Sequence, residues 1–289
     1  MEQEFPVLVR RVAELRARLQ TWRDAGDGIA LVPTMGALHA GHLALIRQAK
    51  TLASRVIVSI FVNPRQFGPQ EDFARYPRQE AQDVEQAIGA GAAIVFAPSA
   101  PEMYPQGYAT TISVTGISAG LCGAHRPGHF DGVATVVAKL LIQAMPDVAV
   151  FGEKDYQQLQ VVKRLALDLD LPVRILGVPT VREDDGLAMS SRNANLSPAQ
   201  RRVAPAIAAT LHAMAKSLAK DGNDVKPQIA WGSEQLRAAG FDSVEYLEVC
   251  DAATLEAITA VGAPARILAA ARLGDTRLID NVPVADATG

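Results

Sequence analysis

The chain has 289 residues, of which 49% are hydrophobic and 20% are charged, and its formal net charge at pH 7 is −3. This length suits one large domain or two modest ones, and the composition is typical of a globular protein with a substantial core. The charge excludes a general basic field for nucleic acid, and the two widely separated cysteines, Cys122 and Cys250, exclude a disulfide framework.

The start of the chain reads MEQEFPVLVRRVAELRARL and lacks the apolar segment of a signal peptide. No stretch reaches the roughly 18 apolar residues that a membrane helix needs. The sparse cysteines favour a reducing compartment. Together these features predict a cytoplasmic protein that binds neither a membrane nor a nucleic acid.

Apolar strand-like runs alternate with helix-like segments through the first part of the chain. The predicted strands are residues 29–33, 56–62, 93–97, 148–151 and 173–178. The predicted helices are residues 8–22, 42–53, 71–88, 133–145 and 156–167. Fully apolar strands separated by helices are typical of a parallel sheet covered on both faces. We therefore predict a Rossmann-like α/β domain over residues 1–181, whose ligands bind beyond the carboxyl ends of its strands.

The pattern changes after Val181. Residues 182–196 are predicted to form a polar loop, and Ser197-Pro198-Ala199-Gln200 predicts a helix start with Ser as the N-cap and Pro at the first helical position. A long Ala-rich helix follows, and then a second helix at residues 228–239. Three strand-like runs come after it, at residues 244–249, 265–271 and 277–279. These elements predict a smaller α+β domain over residues 182–289, hinged to the first near residue 182.

The chain contains neither the GxxxxGK[ST] phosphate loop nor a GxGxxG turn after a strand. The candidate phosphate-binding segment is PTMGALHAGH, residues 33–42, directly after the first predicted strand. Its glycines let the backbone approach phosphate closely, and the helix that follows offers free N–H groups at its positive end. His39 and His42 can fall on one face of that first turn, where imidazolium groups would stabilise charge on a leaving pyrophosphate. A turn with two incidental histidines and a zinc site with further ligands are the alternatives.

Two further segments offer groups for a small polar substrate. In FVNPRQF, residues 61–67, Pro64 ends a strand, and Asn63 and Gln66 present amide donors and acceptors; an ordinary strand-end turn is the alternative. In LCGAHRPGHFDGV, residues 121–133, a structured loop carries a fixed cation, Arg126, and a titratable His129; a plain surface loop is the alternative.

Two other segments offer groups for a nucleotide. In FGEKDYQQ, residues 151–158, Gly152 permits close approach, Lys154 is a compact cation for phosphate, and Asp155 can accept hydrogen bonds from ribose hydroxyls. A solvated helix start is the alternative. In REDDGLAMSSRN, residues 182–193, two serine hydroxyls and the guanidinium of Arg192 can wrap the β- and γ-phosphates; an interdomain linker is the alternative.

These strings carry a family resemblance. The HxGH spacing after the first strand resembles the nucleotidylyltransferase superfamily, which is related to class I aminoacyl-tRNA synthetases. The longer strings PTMGALHAGH and RPGHFxGVxTVV are similar to the pantothenate synthetase family, and MSSR resembles that family's version of the KMSKS loop. The resemblance covers essentially the whole chain and is weakest in the last third, where VEYLEVCD and RLIDN are its best echoes. Asn195 departs from the tyrosine that the family often has there.

The resemblance implies an ATP-dependent ligase that activates pantoate as an acyl-adenylate and joins it to β-alanine, with Mg²⁺ as cofactor and a homodimer as the assembly. It implies that the first domain binds ATP and pantoate and that the second closes over the site. The residues that it implies for catalysis are His42, His39, Lys154 and Arg192. Those implied for ATP are Pro33, Thr34, Met35, Gly36, His39, Gly41, His42, Gly152, Glu153, Lys154, Asp155, Val181, Met189, Ser190, Ser191 and Arg192. Met35, Gln66 and Gln158 are implied for pantoate and Gln66 for β-alanine, while Asn63, Arg126 and His129 are expected to line the site.

Two other functions stay open from the sequence. A nucleotidylyltransferase that transfers AMP to a phosphorylated acceptor would use the same HxGH turn, but it would need extra basic residues for the acceptor phosphate. The second-substrate segments instead carry Asn63, Gln66 and Gln158, which suit a neutral polyol acid. A non-catalytic nucleotide sensor would use the same residues, and only an assay distinguishes it from a ligase. The sequence assigns no Mg²⁺ ligands.

Overall fold

The computed structural model describes residues 7–69, 71–220, 224–262 and 264–284. Within these residues the chain forms two compact units that are each discontinuous in sequence. The first unit takes the described residues of 1–115, 126–153 and 161–179, and the second takes those of 116–125, 154–160 and 180–289. The predicted linear division between residues 181 and 182 stays a prediction.

The first unit contains a parallel sheet of six strands in the described part of the chain, in the order β1-β4-β3-β2-β5-β6. The strands are β1 Val7–Val9, β2 Ile29–Thr34, β3 Arg55–Ile60, β4 Ile94–Phe96, β5 Val148–Gly152 and β6 Arg174–Val178. The central strands are rich in Val, Ile and Leu and almost fully buried, as expected of strands covered on both faces. The predicted parallel α/β sheet is therefore confirmed.

Helices cover both faces of this sheet. The helices up to residue 179 are α1 Val12–Asp24, α2 Ala40–Leu52, α3 Glu80–Ala90, α4 Ala100–Met103, α5 Cys122–His125, α6 His129–Ala144 and α7 Tyr156–Asp168, of which α5 and the start of α7 belong to the second unit. On one face, α2 and α3 pack through Ile46 and Ala87 against Val32 and Val58. Side chains alternate along a strand, so Leu31 points to the opposite face, where α6 contacts β2 and α1 contacts α6.

Several helix boundaries differ from the prediction. The predicted helix at residues 8–22 begins only at Val12, because Val7–Val9 pairs with β4 as a parallel strand. The predicted helix at residues 71–88 is broken into a 3₁₀ turn, Asp72–Arg75, and α3, because Pro77 holds the preceding Tyr76 in an extended conformation. The segment predicted as a loop before residue 133 contains α5, and α6 already begins at His129.

The second unit combines helices with a three-stranded antiparallel sheet, ordered β7-β8-β9, in its described residues. Its later elements are α8 Pro198–Val203, α9 Ala206–Leu218, α10 Lys226–Ala239, β7 Ser243–Asp251, β8 Ala265–Leu273 and β9 Thr276–Val284. The predicted capping box is confirmed: Ser197 Oγ accepts the N–H of Gln200 at 3.3 Å, and Gln200 Oε1 accepts the N–H of Ser197 at 2.9 Å. The single long helix predicted after it is wrong, since Pro205 lacks an N–H and separates α8 from α9.

A hydrophobic core joins the helices of the second unit to one face of its sheet. Leu211 and Met214 of α9 and Leu236 of α10 belong to the same buried cluster as Ile267 and Val282 of the sheet. The predicted smaller α+β domain is confirmed as an architecture. Within the described part of the chain, no helix has both the length and the apolar character needed to cross a membrane.

Candidate active site

The turn between β2 and α2 carries the segment predicted to bind phosphate. Pro33 and Thr34 end β2, and Thr34 Oγ1 donates to the carbonyl of Ser59 on β3 at 2.7 Å while accepting the N–H of Gly36 at 3.2 Å. Gly36 has φ of +82°, and a Cβ there would lie 2.9 Å from a carboxylate oxygen of Asp83. Glycine is therefore required at this position both by backbone conformation and by space.

Asp83 holds this turn from a distance. Its side chain, on the first turn of α3, is 1% exposed and accepts the N–H groups of Ala37 and Leu38 at 2.9 and 2.8 Å. The carboxylate thus satisfies two backbone donors that would otherwise be buried without partners. Sequence reasoning missed Asp83, because a lone acidic residue at a helix start resembles any other and its partners lie 45 and 46 residues away.

His39 and His42 form the start of α2, which begins at Ala40, two residues before the predicted position. Their ring centroids lie 4.1 Å apart. His39 Nδ1 accepts the N–H of Gly41 at 3.2 Å, and His42 Nδ1 accepts the N–H of His39 at 3.3 Å. Because Nδ1 is the acceptor in each ring, Nε2 carries the N–H. The pair therefore offers N–H donors at a helix N-terminus, which suits phosphate oxygens.

A chain of hydrogen bonds fixes the amide of Gln66. The hydroxyl of Tyr104 donates to Asn63 Oδ1 at 2.8 Å, and Asn63 Nδ2 donates to Gln66 Oε1 at 3.1 Å. Gln66 Nε2 then lies 3.1 Å from the sulfur of Met35. With its carbonyl oxygen engaged by Asn63 and its amide nitrogen donating to the sulfur of Met35, the Gln66 side chain has one orientation.

The hydroxyl of Tyr104 stays protonated. Burial raises the pKa of the phenol to about 12, with a further increase from Tyr108 that outweighs the opposing charge of Arg65. Tyr104 therefore stays a donor to Asn63 over the whole physiological pH range. Asn63 is fully buried, and its second amide N–H donates to the carbonyl of Gly132 at 3.0 Å.

The approach of α6 to the 3₁₀ turn Pro64–Gln66 depends on Gly132. A Cβ at this glycine would lie 2.3 Å from the carbonyl oxygen of Arg65 and 2.7 Å from the Cα of Gln66. Since both clashes are with backbone atoms, no side-chain rotation relieves them. Gly132 therefore sets the distance between α6 and the turn that carries Gln66.

Arg126 and His129 also hold this turn. Arg126 is paired with Glu71 through Nε–Oε1 and Nη2–Oε2 distances of 2.7 and 2.6 Å. His129 Nδ1 donates to the carbonyl of Gln66 at 2.9 Å, which leaves Nε2 as the acceptor for Arg126 Nη1 at 2.9 Å. Burial alone would raise the pKa of Glu71, but the hydrogen bonds and charge of Arg126 outweigh it and lower the pKa. The guanidinium is thus already compensated by a carboxylate, and the site-lining role of both residues stays a prediction.

The predicted nucleotide segment after β5 enters the second unit. Gly152 ends β5, and Glu153–Asp155 form a 3₁₀ turn that leads into α7. The side chain of Lys154 is 19% exposed, and its Nζ lies 3.7 Å from Asp155 Oδ2. Gln158, predicted to bind pantoate, lies in the first turn of α7.

The segment predicted as a polar loop at residues 182–196 is instead ordered. Arg182 and Ala188 form an antiparallel bridge, and the N–H of Met189 donates to the carbonyl of Val181 at 3.0 Å. Ser190 caps the 3₁₀ turn Ser191–Asn195 by accepting the N–H of Arg192 at 3.2 Å. This short hairpin brings Val181 and the Met189–Arg192 string together, as joint binding of one ligand requires.

No group of three or more His, Cys, Asp and Glu side chains suited to a metal ion occurs among the described residues.

Comparison with known proteins gives a consistent result. The family model for pantoate-beta-alanine ligase matches residues 7–283. The pantothenate synthetase of Paramagnetospirillum magneticum is 60% identical over 279 residues, covering 96% of this chain and 97% of the relative, and that of Rhodospirillum rubrum is 56% identical over 278 residues, covering 96% and 98%.

Solved structures agree with the sequence relatives. The crystal structure of pantothenate synthetase from Thermus thermophilus superposes with a TM-score of 0.91 at 48% identity, covering 96% of this chain and 99% of that one. The pantoate-beta-alanine ligase from Francisella tularensis, complexed with beta-gamma ATP and beta-alanine, has a TM-score of 0.81 at 33% identity, covering 96% and 97%.

Proposed function

The chain belongs to the pantoate–β-alanine ligase family, whose members are ATP-dependent ligases, and from this membership we propose a two-step reaction. In the first step a carboxylate oxygen of pantoate attacks the α-phosphorus of ATP, the bond from that phosphorus to the bridging oxygen breaks, and pyrophosphate leaves. In the second step the amine of β-alanine attacks the acyl carbon of pantoyl-adenylate, loses a proton and displaces AMP. The products are pantothenate, AMP and pyrophosphate.

The observation that carries this proposal is the histidine pair after β2. His39 and His42 have ring centroids 4.1 Å apart and both use Nδ1 to cap the backbone, so each carries its N–H on Nε2. In the first unit we assign these donors to the ATP phosphates, together with the backbone of Thr34–Gly36 and Gly41. Fixed donors of this kind stabilise charge on departing pyrophosphate without reorganisation.

Gln66 is the residue of the first unit to which we assign pantoate. Its carbonyl oxygen is engaged by Asn63, so the group that it offers to a hydroxyl or carboxylate oxygen of pantoate is its amide nitrogen. That nitrogen donates to the sulfur of Met35 at 3.1 Å, and we assign Met35 to pantoate as well. We also assign Gln66 to β-alanine, as the family resemblance implies, because a donor amide suits the carboxylate of that substrate.

The second unit supplies cations and hydroxyls for ATP in this proposal. Lys154 and Arg192 contact phosphate, and the hydroxyls of Ser190 and Ser191 donate to phosphate oxygens. Gly152, Glu153, Asp155, Val181 and Met189 complete the proposed nucleotide contacts, and Gln158 holds a pantoate hydroxyl. Closure of the second domain over ATP, which would exclude water from the adenylate, stays a prediction.

We propose that ATP is used as its magnesium complex. Mg²⁺ is commonly bound through substrate phosphates, water and one or two carboxylates. Asp155 is an oxygen donor of the kind that this ion prefers, and its side chain is 48% exposed. Bound there, the ion would neutralise phosphate charge while Lys154 and Arg192 orient the phosphates.

We also propose that the protein is a cytoplasmic homodimer, and the family resemblance supports this proposal.

The proposal is tested by exchange of labelled pyrophosphate into ATP, measured with Mg²⁺ and without β-alanine. We expect exchange that requires pantoate, because only reversible adenylate formation returns the label to ATP. Lys154→Ala should lower the exchange rate by about 10²–10³, the usual effect of losing one donor that stabilises developing charge. Lys163→Ala, which removes an exposed lysine of α7, is the matched control and should exchange normally.

The outcomes separate the competing functions. Exchange that appears only with a phosphorylated acceptor would favour a nucleotidylyltransferase, and ATP binding without exchange would favour a nucleotide sensor. If Lys154→Ala exchanges within about tenfold of the parent enzyme, the phosphate role assigned to Lys154 is wrong.

A further inference from the structure

We propose that Asp280 and Asn281 are positioning residues that hold two ATP-binding segments of the second unit on strand β9. The proposal rests on the function proposed above, in which Lys154 and Arg192 contact phosphate. Both residues belong to the RLIDN string, whose polar members have no role in that function. Successive side chains of a strand point to opposite faces, so adjacent residues can bind two different segments.

Asn281 binds the segment that carries Lys154. Asn281 is only 3% exposed, and its Nδ2 donates to the backbone carbonyl of Lys154 at 2.8 Å. The direction of the amide is set by Arg266, whose Nε donates to Asn281 Oδ1 at 2.6 Å. Because the oxygen is engaged by a guanidinium, the nitrogen is the end that faces Lys154.

The same segment is held a second time by Tyr156. The guanidinium of Arg266 lies 3.8 Å from the centroid of the Tyr156 ring, and the Tyr156 hydroxyl donates to the carbonyl of Ala252 at 2.9 Å. Arg266 is thus shared between Asn281 and Tyr156 and joins the two contacts into one buried network. This network fixes the backbone of Lys154 and hence the origin from which its side chain extends.

Asp280 binds the other segment. Its carboxylate, in a residue 2% exposed, receives both terminal nitrogens of Arg182 at 2.7 and 3.0 Å. Arg182 Nη1 also donates to the carbonyl of Gly186, so the guanidinium closes the hairpin that it begins. The far strand of that hairpin leads directly into Met189–Arg192.

Strand β9 therefore positions both of the proposed phosphate-binding segments through its side chains. A displacement near 1 Å from the productive geometry can cost about 10²-fold in rate, so a shift of the Lys154 backbone should be measurable although no reacting atom is touched. The contact from Asn281 is to main chain and persists in every Lys154 variant, so only a change at residue 281 tests it.

The discriminating variant is Asn281→Asp. It keeps size and an oxygen for Arg266 but replaces the donor to the Lys154 carbonyl with a second oxygen. We expect the dissociation constant for MgATP, measured by calorimetry, to rise about tenfold and pyrophosphate exchange to slow by at least that factor. The KM for β-alanine should change less than about twofold, since positioning of ATP phosphates is the property lost. Asn281→Ser, which is too short to reach the carbonyl, is the second variant if Asn281→Asp folds poorly.

Val282→Ala is the matched control. Val282 is the next residue of β9, is 2% exposed and belongs to the helix-facing core, so its truncation lowers the melting temperature while leaving the contact between Asn281 and the Lys154 carbonyl in place. We expect its MgATP affinity to stay within about twofold of the parent. If Asn281→Asp and Asn281→Ser bind MgATP normally, or if Val282→Ala weakens MgATP as much at equal loss of melting temperature, the proposal is overturned. Absence of pantoate-dependent exchange in the parent enzyme would instead contradict the proposed function, while the affinity comparison would still decide this inference.

Discussion

His39 and His42 illustrate how backbone donors set the chemistry of single side chains. Each ring uses Nδ1 to accept a main-chain N–H, at 3.2 and 3.3 Å, and this determines which nitrogen is a donor. The sequence predicts two imidazolium groups against phosphate; the structure shows each Nδ1 as an acceptor, so the role that we propose is that of Nε2–H donors. Such donors act without reorganisation when charge develops.

The first prediction concerns the Nε2 donor of His42. In His42→Asn the Oδ1 atom can replace Nδ1 as acceptor for the N–H of His39, but no donor remains at the position of Nε2. We expect the rate of pantoate-dependent pyrophosphate exchange to fall by about 10²–10³, for this variant and for His42→Ala alike. His212→Ala, on the exposed side of α9, is the control. A reduction below about tenfold would remove His42 from the adenylation step.

The second prediction concerns Tyr104, which touches no proposed substrate. Tyr104→Phe removes one of two donors to the buried Asn63 Oδ1, which then keeps only the backbone N–H of Arg65 at 3.3 Å, so the orientation of the Asn63 and Gln66 amides is held less firmly. Losing one hydrogen bond costs about 0.5–1.5 kcal/mol, and we expect the KM for pantoate to rise by about two- to tenfold while the KM for ATP is unchanged. Tyr108→Phe keeps the neighbouring ring, 5.0 Å away, and serves as the control. An equal rise in both KM values would contradict the orienting role.

At the scale of elements, the parallel strands are the most predictable part of the fold. The apolar run at residues 29–33 predicts β2 to within one residue, because only a buried strand accommodates so continuous an apolar sequence. The helix breaks at Pro77 and Pro205 can be predicted from the sequence alone, because proline has no N–H to donate and disfavours a helical conformation of the preceding residue. The strand Val7–Val9 depends on its partner β4, which local pattern does not specify.

The residues of the candidate site also differ in how well the sequence predicts them. Gly36, His39 and His42 are visible in the sequence because a turn after a strand imposes local requirements on three nearby positions. Asp83 and Asn281 are not visible, since each acts on a segment distant in the chain and neither residue type is unusual where it stands. Long-range positioning groups are thus the part that sequence pattern omits.

The third prediction tests the contact of α6 with the turn Pro64–Gln66. Gly132→Ala places a methyl group 2.3 Å from the carbonyl oxygen of Arg65, so the turn or the helix must move. We expect a lower melting temperature and a higher KM for pantoate, with a destabilisation of about 1–3 kcal/mol typical of overpacking.

Gly89→Ala is the matched control for Gly132→Ala. Gly89 lies inside α3, and a Cβ added there would have no neighbouring atom within 4 Å, so alanine should stabilise the helix by about 0.5–1 kcal/mol. Thermal unfolding of both variants checks the comparison. Equal behaviour of the two variants would show that close approach at Gly132 is unimportant.

At the scale of the whole molecule, each compact unit carries a half-buried ion pair that responds to acid. Burial opposes the charged form of Glu71 and Glu245, but their arginine partners prevail and lower the pKa of both carboxyls from the ordinary 4.5. A carboxyl with a lowered folded-state pKa adds stability that is fully present above about pH 4.5 and is lost as the pH falls through the folded-state value.

The fourth prediction follows from these two carboxyls. Glu71→Gln and Glu245→Gln should each lower the unfolding free energy at pH 7 and flatten its decline between about pH 4.5 and the lower folded-state pKa. Chemical denaturation at a series of pH values measures both effects. Glu234→Gln, at an exposed position of α10, should leave the slope unchanged. A parent-like slope in Glu71→Gln and Glu245→Gln would show that other groups govern the loss of stability in acid.

The interleaving of the two units has a consequence for the chain while it is being made. Cys122 contacts the hydroxyl of Tyr246 and a guanidinium nitrogen of Arg277, partners 124 and 155 residues later in sequence. At a ribosomal rate of roughly 5–20 residues per second, the segment around Cys122 emerges some 8–30 s before the second partner exists. During that interval its thiol and apolar neighbours have no native cover, so nascent chains stalled before β9 should be the most vulnerable to oxidation and to capture by chaperones.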